Sequence, residues 1–170
     1  MLKRSFMSAF IAALLCALLT ACAPAAPKDE AIYYLVRHAE KVSGERDPSL
    51  TQAGEARALA LVVRLAQANI NQVYSTDYKR TRETAAPMAH AFGLEVSLYD
   101  PRDMAGFAEQ LKTQNGNIVI VGHSNTTPGL AALLGIDPGE PIVEVSEYDR
   151  LYVIKRVGEN VTGMQVHYGE

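Results

Sequence analysis

Asn117-Ile118-Val119-Ile120-Val121 is the stretch that most constrains this chain's fold. Four consecutive β-branched aliphatic residues leave neither face of a strand polar. Such a strand must be covered on both sides, which points to the interior of a parallel sheet flanked by helices. Ile32-Tyr33-Tyr34-Leu35-Val36 repeats the pattern. Around these two runs the hydrophobic period changes to that of helices. Thr51 is placed to cap a helix whose apolar face (Ala56, Leu59, Ala60, Val63, Leu65, Ala66) extends to about Ala68. Gln72–Ser75 is a short strand. Arg80–Phe92 reads as a helix ended by Gly93, with Pro87 kinking it or marking its first turn. Leu94–Tyr99 is a third strand and Asp103–Gln114 a third helix. Thr127–Leu134, with Pro128 in its first turn, is a fourth helix. Leu151–Arg156 and Val161–His167 alternate around Gly158-Glu159-Asn160 and predict a closing hairpin. This alternation predicts an α/β fold: a three-layer α/β/α sandwich with a mostly parallel central sheet and a C-terminal hairpin.

The chain has 170 residues, enough for one domain. Its net charge of −3 leaves no basic surplus for a phosphate backbone, so no nucleic-acid partner is expected. Two cysteines exclude a disulfide-dense scaffold and a four-cysteine zinc site. Residues 1–22 have the layout of an export signal: a positive start at Lys3 and Arg4, then an uncharged apolar core from Phe10 to Leu19. Leu19-Thr20-Ala21-Cys22 resembles a bacterial lipobox, in which the cysteine is acylated and the chain is cut just before it. The expected organisation is a lipoprotein signal peptide at 1–21, a Pro/Ala-rich tether at 22–30 and the domain at 31–170. Lipid on Cys22 would anchor the chain to a membrane on the periplasmic side of a bacterial envelope. An uncleaved anchor helix, or a signal cut elsewhere, would also place the domain outside the cytosol. Cleavage would remove Lys3, Arg4 and Cys16, shifting the net charge from −3 to −5 and leaving no intradomain disulfide.

Ligands of open α/β sheets gather beyond the carboxyl ends of the strands. After Val36 comes Arg37-His38-Ala39-Glu40; after Val121 comes Gly122-His123-Ser124-Asn125; after Ser75 comes Arg80. Two histidines and two arginines at neighbouring strand ends suit a phosphoryl group. Guanidinium forks pair phosphate oxygens, and a neutral imidazole is a nucleophile. Phosphoryl transfer needs mainly positioning and charge neutralisation, which arginines and a protonated second imidazole can supply. No His-x-x-x-His, Cys-x-x-Cys or phosphate-binding glycine loop occurs, so no metal site, NTPase chemistry or cofactor is expected. His90 and His167 read as surface or interface residues, and Arg82 as solvated.

These segments resemble the histidine phosphatase superfamily, the branch of phosphoglycerate mutases and small phosphohistidine phosphatases. Its Arg-His-Gly-acid opening appears as Arg37-His38-Ala39-Glu40, with alanine for glycine. Its Leu-Thr-x-x-Gly helix start appears as Leu50-Thr51-Gln52-Ala53-Gly54. Its Ser-x-x-x-x-Arg-x-x-x-Thr-Ala segment appears as Ser75, Arg80, Thr84 and Ala85, and its second histidine as His123. The resemblance implies that His38 attacks phosphorus and becomes phosphohistidine, that Arg37, Arg80 and His123 hold the phosphoryl oxygens, and that water then hydrolyses the intermediate. The substrate would be a small phosphorylated molecule. A carboxylic acid should protonate the leaving group. The glutamate that some members carry after the third strand has no clear counterpart. Asp100, directly after that strand, is the first choice, with Asp103 (also suited to capping a helix) or Glu40 as alternatives. Glu40 could instead orient Arg37 by ion pairing.

Two other readings fit part of the pattern. Gly122-His123-Ser124-Asn125-Thr126 nearly matches a serine-hydrolase elbow, with Asp149 and His167 following in order. That reading lacks the last glycine and leaves Arg37, His38 and Arg80 unexplained. A tethered lipoprotein that binds a phosphate ligand with weak turnover is the other.

Overall fold

The computed structural model describes residues 29–169, so the expected signal peptide, Cys22 and the tether up to residue 28 lie outside the described residues. Six strands form one sheet: β1 (Glu30–Arg37), β2 (Gln72–Ser75), β3 (Val96–Leu98), β4 (Gly116–Gly122), β5 (Arg150–Val157) and β6 (Asn160–His167). Four helices connect the parallel part and lead into the hairpin: α1 (Gln52–Arg64), α2 (Lys79–Phe92), α3 (Met104–Lys112) and α4 (Thr126–Leu133). The strand order is β3-β2-β4-β1-β5-β6. The first four are mutually parallel, while β5 runs antiparallel to β1 and pairs with β6 in the expected hairpin.

The two apolar runs are the central strands, and their alternation divides the core. Tyr33 and Leu35 of β1 pack with Ile118 and Ile120 of β4 on one face, under Phe107 and Leu111 of α3 and Leu130 of α4. Tyr34, Val36, Val119 and Val121 point the other way, to Leu61 of α1 and to Ala85 and Met88 of α2. Period-two side-chain direction thus requires a helical layer on each side. Among the described residues, no helix is long and apolar enough to cross a membrane.

Two boundaries differ most from expectation. Helix α1 stops at Arg64, and a turn follows in which Asn69 takes φ 48°. Strand β3 is three residues rather than six, because its single partner β2 offers rungs only at Val73, Tyr74 and Ser75. Pro87 sits inside α2 and does not end it; Gly93 does, in a left-handed conformation at φ 66°.

At the far end of the sheet from the site, buried Arg156 donates to the Tyr33 hydroxyl and to the Gln114 carbonyl at 3.1 and 2.7 Å, joining β5, β1 and the α3–β4 turn. Leu111, fully buried beneath α3, carries much of the packing on its face. We expect Leu111→Ala to cost about 2–5 kcal/mol, read as a lower urea midpoint with an unchanged slope.

Candidate active site

The site begins with strand register. In the β1–β4 ladder Arg37 pairs with Gly122, and His38 N donates to the Gly122 carbonyl at 2.9 Å, extending the ladder by one residue. His38 and His123 therefore leave adjacent strands side by side, with ring centroids 5.5 Å apart. Strand β2, on the other side of β4, delivers Thr76 and then Arg80 at the start of α2.

Two contacts hold the His38 loop. Ala39 N donates to Thr84 Oγ1 at 3.0 Å, and that hydroxyl donates to the Arg80 carbonyl, which binds the loop to α2. Thr51 caps α1 through Gly54 N at 3.1 Å, and its own N–H donates to the Glu40 carbonyl. A Cβ on Gly54 would lie 2.2 Å from Glu40 O, so only glycine lets the first turn of α1 press this close to the loop. The Leu-Thr-x-x-Gly pattern is thereby explained as a brace.

His38 Nδ1 lies 2.8 Å from the Ala39 carbonyl. A carbonyl only accepts, so Nδ1 carries the proton and a neutral ring keeps its lone pair on Nε2. Burial drives the His38 pKa down to about 3; the Ala39 bond opposes this, while the charges of Arg37, Arg80 and His123 reinforce it. His123 is likewise lowered to about 4, by burial first and then by Arg80 and Arg37. Its Nδ1 faces Arg80 Nη2 at 3.5 Å, which can only donate, so its Nε2–H points to Thr76 Oγ1 at 2.9 Å. The relay continues from Thr76 Oγ1 to Thr81 Oγ1 and on to the Thr76 carbonyl.

Arg37 is 1% exposed and lies behind the histidines. Its Nη1 donates to the Glu147 carbonyl at 2.9 Å and its guanidinium sits 4.2 Å from the Tyr148 ring centroid. Burial works against its charge, yet it makes no ion pair among the described residues. Arg80 stacks on Tyr78 at 4.6 Å and reaches Asp47 only at 3.8 Å. Each arginine keeps a buried Nε without a partner. The result is positive charge that the chain only partly offsets, beside an imidazole with a free lone pair.

A cavity of about 560 Å³ opens here, lined by His38, Arg80 and His123, with Lys41, Tyr78 and Glu144 among its other walls. Of the anticipated residues, Arg37, His38, Arg80 and His123 come together. Asp100 does not line this cavity. Tyr99 takes the inward position, stacked on Phe107 at 4.2 Å, and Asp100 turns outward, where Arg102 grips its carboxylate. The Arg102 side chain holds that carboxylate below the usual range, aided by the Arg102 N–H. Asp103 caps α3 through Gly106 N at 3.0 Å. Glu40 pairs with Arg57 at 2.7 Å and so does not orient Arg37; α1, braced against the loop, brings Arg57 within reach. Ser124 lines the cavity, but Asp149 and His167 do not; they pair with each other at 3.0 Å at the β5–β6 edge. Glu144 and Tyr148 carried no signal in the sequence, since each lies in a stretch without periodicity or motif, and Tyr78 occupies an unspecified position between Ser75 and Arg80. Among the described residues, no group of three His, Cys, Asp or Glu side chains is arranged to hold a metal ion.

Two rings kept neutral by burial make folding pH-dependent. Below the ordinary pKa of 6.5 the unfolded chain binds protons that the folded chain refuses. Stability from these rings is complete above about pH 7 and falls as pH drops toward 4. We expect a loss of about 2 kcal/mol per ring at pH 5, roughly half of it absent in His38→Gln, measured by urea unfolding at pH 7 and 5.

Comparison with known proteins agrees with this geometry. Residues 33–101 match the model of the histidine phosphatase superfamily, branch 1. A probable phosphoglycerate mutase of Escherichia fergusonii is 38% identical over 76 residues, which are 41% of this chain and 35% of that protein. One from Serratia proteamaculans is 40% identical over the same length. The matched stretch is thus about a third of the curated relatives' length. Among solved structures, the protein histidine phosphatase SixA complexed with tungstate superposes with TM-score 0.62 at 14% identity, covering 80% of this chain and 96% of that one. A mycobacterial glucosyl-3-phosphoglycerate phosphatase gives 0.61 at 14% identity, covering 82% and 98%. These likenesses are of fold. The family match covers residues 33–101, from within β1 to just past β3, and the remaining strands complete a fold like that of these neighbours.

Proposed function

We propose that this chain is a phosphomonoester hydrolase that works through a phosphohistidine on His38. The observation that carries this is the His38 ring. Its Nδ1–H is held on the Ala39 carbonyl and its Nε2 is free, at a cavity wall beside arginine charge that no carboxylate fully neutralises. In this reading Nε2 attacks phosphorus and the alkoxide departs. Water then attacks the phosphohistidine, releasing phosphate and restoring the neutral ring. Arg37 and Arg80 stabilise the phosphoryl oxygens as charge moves onto them. Burial first, and then the arginine charges, lower the His123 pKa; the negative phosphoryl group offsets the arginine part and so favours a protonated His123 that donates to it.

The probable phosphoglycerate mutase and the glucosyl-3-phosphoglycerate phosphatase among the similar proteins support a small phosphorylated substrate. The signal-like segment ending at Cys22 supports a lipid-anchored protein of the bacterial envelope. Labelling with a radioactive fatty acid, lost in Cys22→Ser, tests that anchor.

Turnover of p-nitrophenyl phosphate should persist in EDTA. It should fall by ~10⁴-fold or more in His38→Ala. Arg80→Ala should lower it by about 10²–10³-fold. An acid-labile, base-stable phosphoenzyme should form in the wild type and not in His38→Ala. Phosphate binding without turnover would instead support a ligand-binding protein, and full activity in His38→Ala would end the proposal.

A further inference from the structure

Rupture of a phosphate ester leaves an alkoxide, which departs slowly unless a proton reaches it. The anticipated carboxyl groups are all held elsewhere: Asp100 by Arg102, Asp103 by Gly106 N and Glu40 by Arg57. The N–H of neutral His123 is committed to Thr76 Oγ1. Glu144 is the one carboxyl group among the described residues that lines the same cavity as His38 and His123. It makes no ion pair there, and its charge acts on Arg37.

Glu144 sits in the loop between α4 and β5, and that loop is fastened on both sides of it. Val143 N donates to Glu147 Oε2 at 3.0 Å, and the Val143 carbonyl accepts from Glu147 N at 2.8 Å. The other Glu147 oxygen takes Arg150 Nε, while the Glu147 carbonyl takes Arg37. The segment that orients Arg37 therefore also presents an uncommitted carboxyl to the site.

We propose that Glu144 is the proton donor to the leaving group. This rests on the phosphohistidine reading above. A carboxyl group beside a negatively charged phosphoryl group is favoured in its neutral form. As His38 Nε2 bonds to phosphorus and the ester P–O bond breaks, the Glu144 O–H proton passes to the departing oxygen, giving the alcohol and a carboxylate. In the second half the carboxylate takes a proton from the attacking water. The new P–O bond forms, the N–P bond breaks, and phosphate, neutral His38 and protonated Glu144 are restored.

The test is leaving-group dependence. A nitrophenolate departs without help, whereas the alkoxide of glycerol phosphate does not. The full chain and its Glu144→Gln variant are compared by kcat/KM on both esters. The expected result is a loss about 100-fold larger on glycerol phosphate than on p-nitrophenyl phosphate, partly recovered in Glu144→Asp. Equal losses on the two esters, or no loss on either, overturn the proposal. So does the same selective loss appearing in Lys41→Met or Tyr78→Phe, which alter two other proton-bearing walls, instead of in Glu144→Gln. If the wild type hydrolyses neither ester, the phosphatase reading itself fails, and this one with it.

Discussion

The parallel ladder between β1 and β4 sets the position of everything else. Its register places Arg37 opposite Gly122, so the next residue on each strand is a histidine. A slip of one residue would turn His38 toward the opposite face and send its apolar neighbours to the wrong helical layers. The hydrophobic alternation that sorts Tyr33 and Leu35 from Tyr34 and Val36 thus also aims the two imidazoles. Core and site share one constraint, which makes the catalytic geometry as rigid as the middle of the sheet.

Burial then sets the chemistry. A histidine in water is half protonated near neutral pH and is then a poor nucleophile. Here desolvation and the adjacent arginines hold His38 neutral, and the Ala39 carbonyl selects which nitrogen keeps the lone pair. The arrangement keeps positive charge close to a group that must stay uncharged, at a cost to folding. An arriving phosphoryl anion suits both: it meets the arginine charge and a ready lone pair. Functional sites commonly store such unfavourable pairings.

Much of this was legible in the chain, for identifiable reasons. The buried strands announced themselves because a face with no polar residue admits few placements, and the strand-end rule located the Arg/His cluster. Gly54 and Thr84 were visible as motif letters, although their physical work, bracing the loop under His38, emerged only with the fold. Asp100 directly follows the third strand in the sequence, yet its carboxylate turns to Arg102. Sequence position does not say which way a side chain turns at the end of a three-residue edge strand. Glu144 and Tyr148 lie in an aperiodic connection whose path is set by long-range contacts, with Glu147 meeting Arg37 110 residues away.

The direction of β1 has a consequence for how the molecule presents itself. The chain enters the sheet at Glu30 and reaches His38 only after crossing the sheet's full height, about 25 Å for eight extended residues. The described chain thus starts at the pole opposite His38, and the cavity opens at the other pole, away from its first residues.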